Sequence, residues 1–448
     1  IAISGTGLAL TLPARYAIVP LGLSMCLHPS TLLMPPAQLS FTPARLIGLV
    51  LLLRCIFTPS IRSSFRWRLV DTAALAYAGL LTISMLMNLN VGPALNNRAG
   101  FFLSALVPFW CARFLITDRL SLYAFVKSMM WAGVPLAILG VYEMQTTYSP
   151  WESLRQYGVF PTPRLGDGWR LFMGSIHARA RGPFVQYIMY GWFFALWVAL
   201  GTNLYFQKRR LGLWVIAMLF LPVGMAASLS GGPKMLAGLA ILLMLAYPLR
   251  KHWRIGVGIF LTVYIVLLVG SNRGLMGIIA DYGTDPLSSW YRVSLVRFVL
   301  HEGGMTGHWF VGYGTVPFEQ FHDLCIQWVS LLVVYGIAGL IGFYGLIGAV
   351  GWSLWKAREH ADTTEDQWLL WTMMATLLGS LGAMLVVALF SETEYIYYML
   401  LGVIANASLL VQGATRHVGV LAELDGRPVL LRYTLRPGQR LALATACG

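Results

Sequence analysis

Residues 325–355 read CIQWVSLLVVYGIAGLIGFYGLIGAVGWSLW, thirty-one consecutive positions without an acidic or basic side chain. An α-helix rises about 1.5 Å per residue and bilayer hydrocarbon is about 30 Å thick, so about twenty apolar residues cross it. This run exceeds that length, and in lipid a helix satisfies its backbone N–H and C=O groups internally. Outward from it, further apolar runs lie near 7–26, 43–59, 69–88, 100–116, 122–142, 184–201, 211–229, 232–249, 254–270, 367–390 and 395–412. Together they predict an all-α, polytopic transmembrane helix bundle of about twelve spans over residues 1–412, with a tail over 413–448. Pro13, Pro20 and Arg45 interrupt the first two runs.

Composition points to the same solvent. Of 448 residues, 57% are hydrophobic and only 11% charged, with a mean hydropathy of +0.68. A soluble chain carries about 25% charged residues, so too few remain here to coat a water-facing surface. The formal charge of +14 is dispersed among the apolar runs instead of forming one basic face, which argues against a nucleic-acid partner and for membrane topology. Cys26, Cys55, Cys111, Cys325 and Cys447 have neither zinc-site spacing nor the density of a disulfide framework, and read as packing thiols. The first apolar run lacks a basic leader, so no cleavable signal peptide is expected.

Lys and Arg resist translocation, so their distribution orients the spans. Arg54, Arg62, Arg66 and Arg68 end or follow the second run, and Arg113 and Arg119 the fourth. Lys208, Arg209 and Arg210 follow the sixth, Arg250, Lys251 and Arg254 the eighth, Lys356 and Arg358 the tenth. The opposite short loops carry only Arg98 and Lys234. This alternation predicts a multi-pass protein with both termini cytoplasmic and the long loops 143–183 and 271–324 on the other side. Charges in those loops are not explained by topology, so function is expected there. In the tail, Val418 to Leu421 and Val429 to Tyr433 flank Asp425-Gly426, which predicts a small hairpin.

The first long loop ends in His177-Ala178-Arg179-Ala180-Arg181-Gly182-Pro183-Phe184. Guanidinium groups at a membrane boundary suit phosphate or diphosphate oxygens, through permanent charge and a fixed fork of donors. Interfacial snorkelling or ordinary headgroup binding is the competing reading of the same residues. Glu143, at the end of the fifth run, is placed to pair with one of the arginines. The turn Ser228-Leu229-Ser230-Gly231-Gly232-Pro233-Lys234 combines small residues with a cation, which could admit a phosphate near backbone N–H groups, and is equally well a tight turn. In the second loop Arg292 and Arg297 stand five apart, too far round a helix to share one ligand. Glu319, His322 and Asp323 arrive just before the tenth run, and a His beside a carboxylate can take a proton from a hydroxyl near neutral pH. Neither loop has metal-ligand spacing.

This ordered set resembles the O-antigen ligase and polysaccharide polymerase superfamily of bacterial inner-membrane glycosyltransferases, over about residues 70–350. The likeness rests on Val141-Tyr142-Glu143, Arg179 to Phe184, Ser228 to Pro233, Arg292, Gly312-Tyr313-Gly314, His322-Asp323 and Tyr335 to Leu340. It implies transfer of a glycan from undecaprenyl diphosphate, at the outer face of the inner membrane, to a saccharide or lipid A core hydroxyl, with inversion and with no cofactor, metal or nucleotide sugar. By the family pattern Arg179 is the first candidate for the diphosphate, Arg181 its near alternative and Arg292 a second clamp, while Lys234 could supply the charge of a family arginine that this chain lacks. His322 would be the acceptor base and Asp323 its partner or substitute. Two departures stand out. Gly231 occupies the place of a frequent family arginine, and His322-Asp323 lies about one helical turn before the usual position, near Cys325-Ile326. The Ser-Gly-Gly-Pro turn and the His-Asp pair are more similar to exopolysaccharide members than to typical O-antigen ligases; a polymerase could also take a chain-length regulator as partner. The reading from another class is a flippase of a lipid-linked glycan, which would carry its charges at mid-membrane.

Overall fold

The computed structural model describes residues 2–28, 42–151, 169–172, 175–208, 210–252, 258, 262, 265–266, 286–321, 324–390, 392–412, 417–424 and 427–434. It is mostly helical. In chain order it contains α1 (Ala2–Thr11), α2 (Val19–Leu27), α3 (Pro43–Phe57), α4 (Leu69–Asn88), α5 (Val91–Leu115) and α6 (Arg119–Thr146). An antiparallel pair, β1 (Trp169–Phe172) and β2 (Ser175–Ala178), precedes α7 (Tyr187–Lys208), α8 (Leu211–Ala227), α9 (Gly231–Leu245) and α10 (Pro286–His301). Then come α11 (Gln327–Ala357), α12 (Thr364–Met384), α13 (Glu392–Ala405) and α14 (Ala407–Gln412). The tail hairpin forms as expected, β3 (His417–Leu424) against β4 (Arg427–Thr434), with Leu424 paired to Arg427 across Asp425-Gly426.

Among the described residues five helices are long and apolar enough to cross a membrane: α4, α5, α6, α7, and α11 with its short 3-10 extension. Elsewhere the expected runs are interrupted for identifiable reasons. The run 7–26 is two short helices joined by a turn at Pro13, whose missing N–H and fixed φ stop α1, while Pro20 sits in the first turn of α2. The run 395–412 breaks at Asn406, whose amide turns from the helix to donate to Arg113 O (2.9 Å) and Ile116 O (2.8 Å). Most of 254–270 lies outside the described residues. Among the described residues the two π-turns, Phe102–Leu106 and Ile216–Phe220, directly precede a proline-bearing turn, at Pro108 and Pro222, where the ring displaces the carbonyl four residues back.

The opening stretch is itself broken. Within α11, Gly336 takes φ 68° and ψ −165°, a conformation essentially reserved for glycine. The loop 308–314 fills the gap: Tyr313 N donates to Val333 O (2.8 Å), Gly314 N to Val334 O (2.9 Å), and Ile337 N to Trp309 O (2.8 Å). From α4, Ser84 Oγ (2.6 Å) and Asn88 Nδ2 (3.0 Å) hold Val311 O. The Gly312-Tyr313-Gly314 and Tyr335-Gly336-Ile337 motifs thus close one break together. A Cβ at Gly336 would land on the Phe310 carbonyl. We expect Gly336→Ala to lose about 1–3 kcal/mol through backbone strain alone, and more through the collision, read as a lowered melting temperature in detergent and faster proteolysis within 304–316.

Contacts between helices sort the polar residues to two ends. At one, Asp71 and Arg113 pair (2.7 Å), Arg68 donates to Ser408 Oγ, and Arg119 meets Glu365 and Asp366. Lys208 lies over Tyr123 at that end, and Arg250 reaches Gln367. Asp71 and Asn88 stand seventeen positions apart on α4, about 26 Å of helix, and Asn88 marks the opposite end. There Arg98, Glu143, Arg179, Lys234 and Arg292 are found. Small residues let the helices between approach closely: a Cβ at Gly379 would meet Leu236 O at 2.9 Å, and one at Gly342 would meet Tyr77 at 2.7 Å.

Candidate functional site

Glu143 closes α6 and organises the segment after β2. Its Oε2 accepts from Gly182 N (2.9 Å) and its Oε1 lies 3.9 Å from Arg181 Nε. Gly182 has φ +52°, so the chain turns tightly beneath the carboxylate. Arg179, two residues before Arg181, points elsewhere. Its Nε donates to Ser228 O (3.2 Å) and its guanidinium carbon lies 3.1 Å from the centre of the Tyr187 ring, leaving the residue 8% exposed. Ala180 N donates to Ala227 O (3.0 Å), pinning the segment to the end of α8. The two arginines therefore have different employment: Arg181 is engaged by Glu143, the pairing expected for that carboxylate, and Arg179 is held against the turn between α8 and α9.

That turn is tight. Ser228 Oγ donates to Met225 O (2.6 Å) and accepts from Ser230 N (3.3 Å), and Leu229 adopts φ 48°. Gly231 starts α9, and Lys234 in its first turn lies within Coulombic reach of Arg179. Arg292 joins the assembly through backbone. Its Nε donates to Val386 O (2.8 Å), and its Nη1 to Ser288 O (2.9 Å) and Ser288 Oγ (2.6 Å). The next residue, Val387, packs on Gly232 so closely that a Cβ there would collide with it. Leu389 N in turn donates to Gln327 Oε1 (2.6 Å) at the start of α11. Arg179, Lys234 and Arg292 are thus anchored around residues 228–234 and the strap 386–389.

No protein-family model and no curated protein matches this chain. His322 and Asp323 lie outside the described residues. Their flanking residues Phe321, Leu324 and Cys325 belong to an apolar cluster with Leu295 and Val299 of α10, the helix that carries Arg292. Arg297 pairs with Glu302 (2.9 Å), apart from Arg292, in line with their five-residue spacing.

Two parts of the site were not foreseen. Tyr187 supplies an aromatic face for Arg179, a favourable contact for a planar cation; the sequence signal was only an aromatic eight residues downstream. The strap 386–389 acts mainly through main-chain groups, which leave no side-chain signature. Chemically the arrangement gathers fixed positive charge. Carbonyl oxygens hold the guanidinium groups of Arg179 and Arg292, and an aromatic face lies against that of Arg179. Fixed, partly desolvated cations of this kind suit an anion bearing more than one charge.

Proposed function

We propose that this protein transfers a glycan from a lipid diphosphate, undecaprenyl diphosphate by the family resemblance, to a hydroxyl of a saccharide or of lipid A core, without a metal. The observation that carries this reading is that Arg179 and Lys234 are held at one turn, and Arg292 on the strap packed against that turn, at one end of the bundle. Cleaving the bond between the anomeric carbon and the diphosphate oxygen leaves negative charge on the departing group. Cations already oriented toward that position lower the barrier because they need not reorganise during the reaction. A base of near-neutral pKa, His322 with Asp323 as partner or substitute, would take the acceptor's proton as its oxygen attacks, and a single displacement inverts the anomeric centre.

The accompanying topology has about twelve spans and both termini in the cytoplasm. The end carrying Asp71, Arg113 and Arg119 would face the cytoplasm, and the end carrying the three cations the outer side of a bacterial inner membrane. Charges gathered at one end favour an enzyme over a flippase, which needs them where both faces have access in turn.

The test is transfer from an undecaprenyl diphosphate-linked oligosaccharide by protein in nanodiscs, with a chelator present. Product is expected in the chelator, and Arg292→Ala should lower kcat by about 100-fold, the scale of losing one donor to developing charge. If proteoliposomes instead move the intact donor between leaflets with no new glycosidic bond, the flippase reading replaces this one.

A further inference from the structure

At the same end of the bundle, a second group of polar side chains has no part in the diphosphate site. Arg98, in α5, is 8% exposed. Its Nη2 donates to Asn97 Oδ1 and to Tyr335 Oη (2.6 Å), and its guanidinium carbon lies 4.9 Å from the Tyr335 ring centre. Its Nε and Nη1 are buried and have no hydrogen-bond partner. Burying a charged group's N–H without an acceptor is costly, and a fold retains it where something else supplies the acceptor.

Facing it is Glu394, in the first turn of α13. Glu394 lies within Coulombic reach of Arg98, Arg45, Tyr77, Tyr335 and Tyr398, yet it forms none of the ion pairs found among the described residues. Arg45 approaches from α3 and rests against Gly100, with its Nη2 3.6 Å from where a Cβ would stand. Glu394, Arg45 and Tyr335 keep part of their surface accessible, whereas Arg98, Tyr77 and Tyr398 beneath them are buried. The accessible groups and the buried ones form one polar cluster. It adjoins the diphosphate site, because Thr393, next to Glu394, donates to Met189 Sδ (2.9 Å) two residues beyond Tyr187.

The chemistry of the cluster narrows what it would bind. A bare anion would satisfy Arg98 and be repelled by Glu394, and a cation would do the reverse. A hydroxyl does both, accepting from the guanidinium while donating to the carboxylate. Several hydroxyls on one ring, beside aromatic side chains, describe a sugar, and a few polar groups fixing orientation among aromatics is the usual make-up of a small-molecule site. We infer that this cluster lines a saccharide-binding subsite in which hydroxyls of one sugar ring bridge Arg98 and Glu394. Its role, holding the glycan that donates or accepts, rests on the proposed transfer; the binding itself does not.

The experiment measures binding to the full chain in detergent by thermal shift and intrinsic fluorescence. The probes are the methyl glycosides of glucose, galactose and mannose, N-acetylglucosamine, and inorganic phosphate. At least one sugar should bind wild type, and the isosteric Glu394→Gln and the charge-keeping Arg98→Lys should each weaken it about tenfold, the scale of one hydrogen bond to a charged group. Tyr335→Phe, which removes only a hydroxyl, controls for folding and should weaken binding less, while Arg179→Ala should bind the sugar as wild type does. Sugar binding with this pattern in a protein that transfers nothing would keep the subsite and remove the transferase reading. Phosphate binding sensitive to Arg98→Lys but not to Glu394→Gln would overturn the inference in favour of an anion site, and so would the absence of binding by every sugar.

Discussion

Arg179→Ala is expected to lower kcat for glycan transfer by about 100- to 1,000-fold, with the protein still folded, because a preorganised donor to developing charge is worth that much in a desolvated site. Arg179→Lys should recover little of the loss. Lysine restores a charge but cannot keep one nitrogen on Ser228 O while lying flat on Tyr187. Arg181→Ala separates the two arginines of the motif. It removes a partner from buried Glu143, so its main effect should be on stability, about 1–3 kcal/mol for a buried group losing a charged partner, with a smaller fall in kcat. Steady-state transfer and melting of the three variants in one detergent decide the matter. Should Arg181→Ala abolish transfer while Arg179→Ala leaves it intact, the diphosphate ligand is Arg181.

The largest expected effect on stability lies at the other end. Arg113 and Asp71 are 2% and 0% exposed and joined by two hydrogen bonds, Nε to Oδ1 (3.0 Å) and Nη2 to Oδ2 (2.7 Å). Arg113 also donates to Asn406 Oδ1 and to Arg66 O (3.0 Å), and Asp71 accepts from Arg68 N (2.8 Å). One knot therefore fastens the start of α4, the end of α5 and the break between α13 and α14. Arg113→Met leaves a buried carboxylate without its cation and should cost about 3–5 kcal/mol. The double variant Asp71→Leu with Arg113→Met should recover much of that, since replacing both members of a buried pair by apolar groups is often nearly neutral. Equilibrium unfolding in mixed micelles would show it; a double variant as unstable as the sum of the singles would mean that the hydrogen bonds to Arg66 and Asn406, not the charge pair, hold this end.

Charge was the most legible feature of the chain, because in so apolar a sequence each Arg, Lys or Glu needs a reason. Arg179, Lys234, Arg292 and Glu143 were picked out on that basis, and their contacts fall at one end of the bundle. The α4 boundaries 69–88 were legible too, with Asp71 at one end and Asn88 at the other. The break in α11 was not. Glycine recurs at every third position from Gly336 through Gly339, Gly342, Gly345 and Gly348 to Gly351, and only Gly336 has positive φ. The others are helical; Gly339 and Gly342 give close approach, and nothing lies near a Cβ built at Gly345, Gly348 or Gly351. Periodicity cannot tell a hinge from a packing notch, because glycine suits both. Likewise Val386 to Leu389 read as the end of an apolar run, since their contribution runs through a carbonyl and an amide common to every residue.

Those four residues have a kinetic consequence. Val386 O holds Arg292, Val387 wedges against Gly232, and Leu389 N is fixed by Gln327, so three otherwise separate helices share one short stretch of main chain. Opening that stretch releases all three at once, so amide exchange at the ends of α9, α10 and α11 that meet it should proceed at one shared rate.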